Sequence, residues 1–290
     1  MPDADRLAVA IGAMASLASF EEVLLSPKPG LVCPDSAGSH SDMNWATFAA
    51  GASALAPFWR VQALEGARFP HYKPLEELGA NLRLVGREME SAMFEATGGV
   101  NTHKGLIFAL SLIVGASGLC FSRGRTSKDS VLKTAGDLIR ASVTEEMEDI
   151  GRRGRRGEEL THGEKIYFLH GIGGIRAEAK NGFPSVKKGL DALEEAVSRG
   201  AALRDAAISA LLVLMAECED TNVMHRGGVR FWSGEYKEMT RDAMAKFDPV
   251  DPRFYESVRY LDKRLIERGA SPGGAADLLA CTLFMYRSII

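Results

Sequence analysis

The chain has 290 residues, 46% of them hydrophobic, with 35 basic against 38 acidic side chains and a formal net charge of -3. That length and apolar content suffice for a large core, while the near balance of charge gives neither nucleic acid nor an acidic membrane a strongly basic surface, so neither is expected as a partner. Cys33, Cys120, Cys218 and Cys281 have no paired spacing, which reads as reduced, cytoplasmic usage without disulfides or zinc. No repeat or Ser/Pro-rich linker divides the sequence, and a single domain over 1–290 is expected.

The first helical period covers 4–24. It begins among acids, with Arg6 as its early cation, and so reads as a buried helix and not as a signal peptide. Ser26-Pro27-Lys28-Pro29-Gly30-Leu31-Val32 follows. Prolines on both sides of Lys28 lower the entropy lost when the lysine is held toward a ligand, although a plain prolyl terminator looks the same. In Gly38 to Asn44, Ser41 or Asp42 suits the cap of a helix starting near Met43. His40 and Asp42 also offer a proton acceptor or a ligand for Mg2+.

Helical periods continue over Met43 to Trp59 and Leu75 to Ala96. Glu88 and Glu90 point in different directions, and Glu90, beside Met89 and Met93, is the one expected to face a pocket. Thr97-Gly98-Gly99-Val100-Asn101-Thr102-His103-Lys104-Gly105 then runs directly into an apolar segment ending at Phe121. This loop places Asn101, Thr102, His103 and Lys104 at a helix amino terminus, a setting that favours anions. Asn101 or Thr102 also suits a helix cap. The apolar run is short for a membrane span and is interrupted by Gly115 and Gly118, so it is expected to be a central core helix.

A helix is expected over Ser130 to Ile150, then a loop at 151–157 whose arginines are neutralised by flanking acids. Further helices are expected over 163–179, 186–198, 201–217, 236–246, 252–268 and 274–289. Gly171 to Pro184 lacks dinucleotide-fingerprint spacing. Its Arg176 suits a phosphate or a carboxylate, with Glu178 offset from it. Asp220, Asn222 and Arg226 can converge on an oxygen-rich ligand or build a turn, and Asn222 to Gly234 is expected as a loop. Asp277 lies in the first turn of the last helix, where an acid is favoured with no functional cause. The apolar face of 274–289 suits burial within the chain or across a homodimer. Strand alternation is absent, and the expected fold is all-α, a single-domain multi-helix, bundle-like array.

Carboxylates with histidine point to a hard cation, Mg2+, while Lys, Arg and Asn point to phosphates. The residues alone therefore lead to a helical, magnesium-dependent enzyme acting on a phosphorylated substrate.

Taken in order, Ser26–Val32, Gly38–Met43, Thr97–Gly105, Gly173–Pro184, Asp220–Gly228 and Ser271–Leu279 resemble the triphosphoribosyl-dephospho-coenzyme A synthase family. The resemblance covers almost the whole chain and departs at Ala177, where the family commonly has glycine. It implies a cytoplasmic, all-helical enzyme. Its substrates would be ATP and 3'-dephospho-CoA, and its products adenine and 2'-(5''-triphosphoribosyl)-3'-dephospho-CoA. A holo-acyl-carrier-protein synthase would receive that product, for citrate lyase or malonate decarboxylase. On this chain it implies Lys28, Lys104, Arg176 and Arg226 around phosphates, joined by Asn101, Thr102 and Asn222. Asp42, Glu90 and Asp220 would divide Mg2+ binding and hydroxyl activation, and His103 would face adenine or phosphate. His40, Glu178 and Asp277 are further candidates. An N-glycosidase or ADP-ribose hydrolase and a non-catalytic nucleotide-binding module are the competing readings.

Overall fold

The computed structural model describes residues 3–251 and 255–288. Helices carry the fold and no strand forms among these residues, apart from one isolated bridge between Cys33 and Ser36. In chain order they are α1 (Ala4–Leu24), α2 (Trp45–Ala67), α3 (Leu75–Ala96), α4 (Lys104–Ser122), α5 (Lys128–Asp137), α6 (Arg140–Arg155), α7 (His162–His170) and α8 (Gly174–Lys180). Then come α9 (Pro184–Ser198), α10 (Leu203–Glu217), α11 (Thr221–Gly227) and α12 (Val229–Phe231). A π-helical turn at Trp232–Tyr236 leads into α13 (Lys237–Lys246), followed by α14 (Tyr255–Glu267) and α15 (Gly273–Arg287). The expected helix positions 252–254 and 289 lie outside the described residues.

α4 is the central helix that its composition predicts. It is apolar all round and needs no solvent face, because α1, α2, α3, α5 and α15 pack about it. α1 and α4 both have the length and apolarity to cross a membrane, but 83% of the most apolar window of α4 is buried inside the protein. A Cβ on Gly118 would collide with the Ala63 carbonyl, so this glycine lets α2 cross closely and does not weaken the helix for nothing. A second centre forms on α10, wrapped by α9, α13 and α15. Its carboxyl end is closed by buried Lys237, whose Nζ donates to the carbonyls of Met215 at 3.1 Å, Ala216 at 2.6 Å and Cys218 at 3.0 Å. These carbonyls would otherwise lack partners in the core. α15 contacts both centres, and its amino end lies where they meet.

Several expected boundaries shift. The helix expected over 130–150 breaks between α5 and α6, where Leu138 and Ile139 turn inward and are buried. The segment expected as one helix over 163–179 breaks at Gly171, whose φ of 70° ends α7. The Gly-Arg loop is largely helical: α6 runs on to Arg155, held by Arg153 Nη1 donating to Glu164 Oε1 at 2.9 Å. The loop expected at 222–234 is also helical, since the Asp220 carboxylate accepts from the amides of Asn222 at 2.9 Å and Val223 at 3.2 Å and starts α11. Asn44, and neither Ser41 nor Asp42, caps α2 through a capping box with Thr47.

Candidate active site

A cavity of about 300 Å³ opens where the amino ends of α4 and α15 approach one another. The end of α1, the loop carrying Lys28 and His40, the first turn of α8 and the face of α11 complete its wall. Helix amino ends bring unpaired amides and positive dipole ends to the same space, which favours anionic groups.

Lys28 is buried, and its Nζ donates to Glu22 Oε1 at 2.6 Å and to the Glu22 carbonyl at 2.7 Å. The lysine between two prolines is therefore held by a buried carboxylate six residues earlier. Lys104 is the more available cation: it is 57% exposed and pairs with Glu90 at 3.1 Å. Its amide donates to Asn101 Oδ1 at 3.1 Å, so Asn101 does part of the work of a cap at this helix end. Arg226 Nη1 donates to the Ser39 carbonyl at 3.0 Å, and its Nη2 lies 3.3 Å from His40 Nδ1. His40 Nε2 meets Ser271 Oγ at 2.9 Å, tying this loop to the start of α15. Burial, then the Arg226 charge, pushes His40 below the usual histidine value, with Asp42 opposing.

His103 is fully enclosed. Its Nδ1 pairs with Thr102 Oγ1 at 2.8 Å, Phe48 lies edge-on at 5.2 Å, and Nε2 has no hydrogen-bond partner among the described residues. A Cβ on Gly51 would come within 2.9 Å of His103 Nδ1, so the imidazole fits only beside glycine. Burial, followed by the Lys28 charge, drives its pKa down to about 3. The ring is neutral at physiological pH and offers a hydrogen bond without a charge.

Four carboxylates line the cavity. Glu22 is paired with Lys28. Glu178 accepts from the Ser185 amide at 2.7 Å and Ser185 Oγ at 2.9 Å, and burial raises its pKa against these bonds. Glu219 Oε2 accepts from the amides of Gly173 at 2.9 Å and Gly174 at 3.0 Å, fixing the start of α8. Asp277 is enclosed between α15 and α4.

Of the residues singled out in the sequence, Lys28, His40, Asn101, Thr102, His103, Lys104, Glu178, Asn222, Arg226 and Asp277 converge on this wall. The proposed metal trio does not. Asp42 points to solvent, 61% exposed, with His40 Nδ1 at 3.6 Å. Glu90 borders a different, smaller cavity between α3 and α4. Asp220 is buried, with its oxygens committed to the amides of Asn222, Val223 and Ala275, the last at 3.0 Å, so it clasps α11 to α15. No cluster of three or more His, Cys, Asp or Glu suited to a metal occurs among the described residues. Arg176 also stands outside, on the far side of α8, 3.4 Å from Glu146. Sequence reasoning missed Glu22, Glu219, Thr221 and Ser271. Two local signals mark the first pair: Glu21-Glu22 ends an otherwise apolar helix, and Glu219 precedes the capping Asp220 after the apolar run of α10.

An all-helical cavity that combines helix amino ends, cations and carboxylates, of which Glu22 is buried, has the composition of an enzyme site suited to anionic groups. The family model for CitG, described as ATP:dephospho-CoA triphosphoribosyl transferase, matches residues 8–289, and the chain belongs to that family. A relative from Malonomonas rubra, named probable 2-(5''-triphosphoribosyl)-3'-dephosphocoenzyme-A synthase, is 33% identical over 95% of this chain and 86% of its own. One of the same name from Vibrio cholerae is 37% identical over 96% and 88%. A 2-(5''-triphosphoribosyl)-3'-dephosphocoenzyme-A synthase from Pectobacterium atrosepticum is 38% identical over 91% and 84%. No solved structure matches the chain.

Proposed function

We propose that this protein transfers the triphosphoribosyl group of ATP to the ribose 2'-hydroxyl of 3'-dephospho-CoA, releasing adenine and forming 2'-(5''-triphosphoribosyl)-3'-dephospho-CoA. The observation that carries the reading is the meeting, in one cavity, of the α4 and α15 amino ends and the Lys104 and Arg226 cations with four carboxylates. Cleavage of the ribosyl–adenine bond builds positive charge at C1', and carboxylates in a water-poor enclosure stabilise that charge more strongly than they would in solvent. The triphosphate is carried over intact, so the site needs to hold it and not to cleave it. Lys104, itself exposed, is free to turn toward phosphate. Lys28, already neutralised by Glu22, chiefly shapes the wall.

Magnesium suits this donor set as an ion brought by the triphosphate, since Mg2+ keeps several waters and takes one or two carboxylates alongside phosphate oxygens. Glu219, whose Oε2 holds two amides, would offer Oε1 to it. When bound, the ion would neutralise part of the triphosphate charge. The product would serve a holo-acyl-carrier-protein synthase supplying citrate lyase or malonate decarboxylase. We place the protein in the cytoplasm, as a monomer or homodimer.

The test is incubation of purified protein with Mg2+, ATP and 3'-dephospho-CoA, with mass spectrometry of the products. Adenine together with an adduct retaining all three ATP phosphates is expected. Adenine without that adduct would mark a hydrolase, and no turnover would mark a binding module.

A further inference from the structure

We infer that the Asp277 carboxyl is the acid that protonates the departing adenine. The inference rests on the transfer reaction proposed above. Asp277 sits on the cavity wall in the amino-terminal part of α15, against Gly105 of α4 and near the Leu106 amide. The other cavity carboxylates are more heavily committed: Glu22 to the Lys28 ammonium, Glu178 to the amide and hydroxyl of Ser185, Glu219 to two backbone amides. Asp277 has no cation partner among the described residues, and the Leu106 amide and the carboxylates of Glu22 and Asp220 are its neighbours. An ionised carboxylate there pays for desolvation and like-charge repulsion, which favours the protonated form. Burial first, then Glu22 and Asp220, pushes its pKa well above the ordinary carboxylate range, against the Leu106 bond. Space for the carboxyl exists because residue 105 is glycine, since a Cβ there would meet Asp277 Oδ2.

The step balances without a further reactant. The C1'–N9 bond of ATP breaks with its electron pair going to the adenine ring, and the Asp277 O–H proton passes to a ring nitrogen. The C1'–O bond forms to the acceptor's 2'-oxygen. The proton lost by that hydroxyl restores the Asp277 carboxyl directly or through water, so turnover consumes no net proton.

N7-methyl-ATP separates this role from a structural one, because its base already carries the positive charge that protonation would supply and departs neutral. The experiment measures base release by the wild type and Asp277→Asn, each with 3'-dephospho-CoA and either nucleotide. Asparagine keeps an oxygen for the Leu106 amide. With ATP the variant should lose roughly 10²-fold or more, the usual scale of general acid catalysis. With N7-methyl-ATP it should stay within about 10-fold of wild type, since that step needs no proton. Equal losses on both nucleotides, or no loss on ATP, would overturn the assignment. Should the variant not fold, wild-type pH profiles decide: a rate that falls with rising pH on ATP alone supports the acid, and identical profiles overturn it. The other titratable groups near the carboxyl are Glu22 on α1, Asp220 before α11 and Cys281 one turn further along α15, with Lys28, His103, Lys104 and Glu178 on the same cavity wall, and they act on both nucleotides alike. A wild type that releases no adenine from ATP with 3'-dephospho-CoA refutes the transfer reading itself, a different failure.

Discussion

Asp277 on α15 occupies the space that a side chain at Gly105 on α4 would need, so these two residues set how closely the two helix amino ends approach. Gly105→Ala should therefore push the carboxyl aside. Alanine is favoured over glycine in a helix by up to about 1 kcal/mol, and overpacking costs about 1–3 kcal/mol. Net stability should change by less than about 2 kcal/mol, while kcat falls at least about tenfold, because misplacing a reacting group by an ångström costs this much or more. Thermal unfolding and steady-state kinetics check both, and an unchanged kcat would detach Asp277 from the chemistry.

The Glu22–Lys28 pair should govern stability before it governs ATP. Both side chains are buried and joined at 2.6 Å, and removing one partner of such a pair strands a charge at a cost of about 3–5 kcal/mol. Urea unfolding of Glu22→Gln should show a loss of that size. The double variant Glu22→Gln with Lys28→Met should recover part of it, since no buried charge remains.

His103 makes stability depend on pH in a defined window. Its folded pKa of about 3 lies below the unfolded value of 6.5, so the unfolded chain binds the extra proton between them. Its contribution is complete above pH 6.5 and declines as pH falls toward 3, by up to about 1.4 kcal/mol per pH unit. His103→Gln should flatten that part of the stability profile. An unaltered slope would mean that the ring is not buried and neutral.

Lys104 and Arg226 should act on nucleotide affinity with little effect on folding. In the Lys104–Glu90 pair the lysine is exposed and the glutamate half-buried, and pairs at the surface contribute about 0–1 kcal/mol. Lys104→Ala should leave the melting temperature nearly unchanged. If the ammonium meets the triphosphate, the loss of a charge-assisted bond of about 1.5–3 kcal/mol should raise the KM for ATP roughly 10-fold or more. Arg226→Ala should behave alike, with an added loosening of His40. Unchanged KM values would remove either residue from the nucleotide.

The parts of this protein that were legible in its sequence are those set by local chemistry. The run after Lys104 is apolar all round and could only be a buried helix, and the Asn101–Lys104 loop at its mouth does face the cavity. The all-helical class follows from periodicity and the absence of strand alternation. What was not legible depends on contacts distant in sequence. The break between α5 and α6 comes from tertiary packing: Leu138 and Ile139 are buried there, and the Leu138 carbonyl lies so close to Gly79 of α3 that a Cβ on that glycine would collide with it, and nothing local announces that approach. Asp220 looked like a ligand because its composition suits one, yet the start of α15, 55 residues later, turns it into a clasp. Asp277 looked like an ordinary first-turn acid, but α15 begins at Gly273 and its first turn holds no acid, and the packing of α4 against Asp277 brings the carboxyl onto the cavity wall.

The most direct test of the central claim, that the junction of the α4 and α15 amino ends binds the nucleotide, is hydrogen exchange of the full chain with and without Mg2+ and ATP. Slowed exchange of amides in 101–107 and 271–278 is the result this account predicts. Unchanged exchange in both segments, with slowing confined to the outer groove formed by Leu75, Arg140 and Thr144, would contradict it.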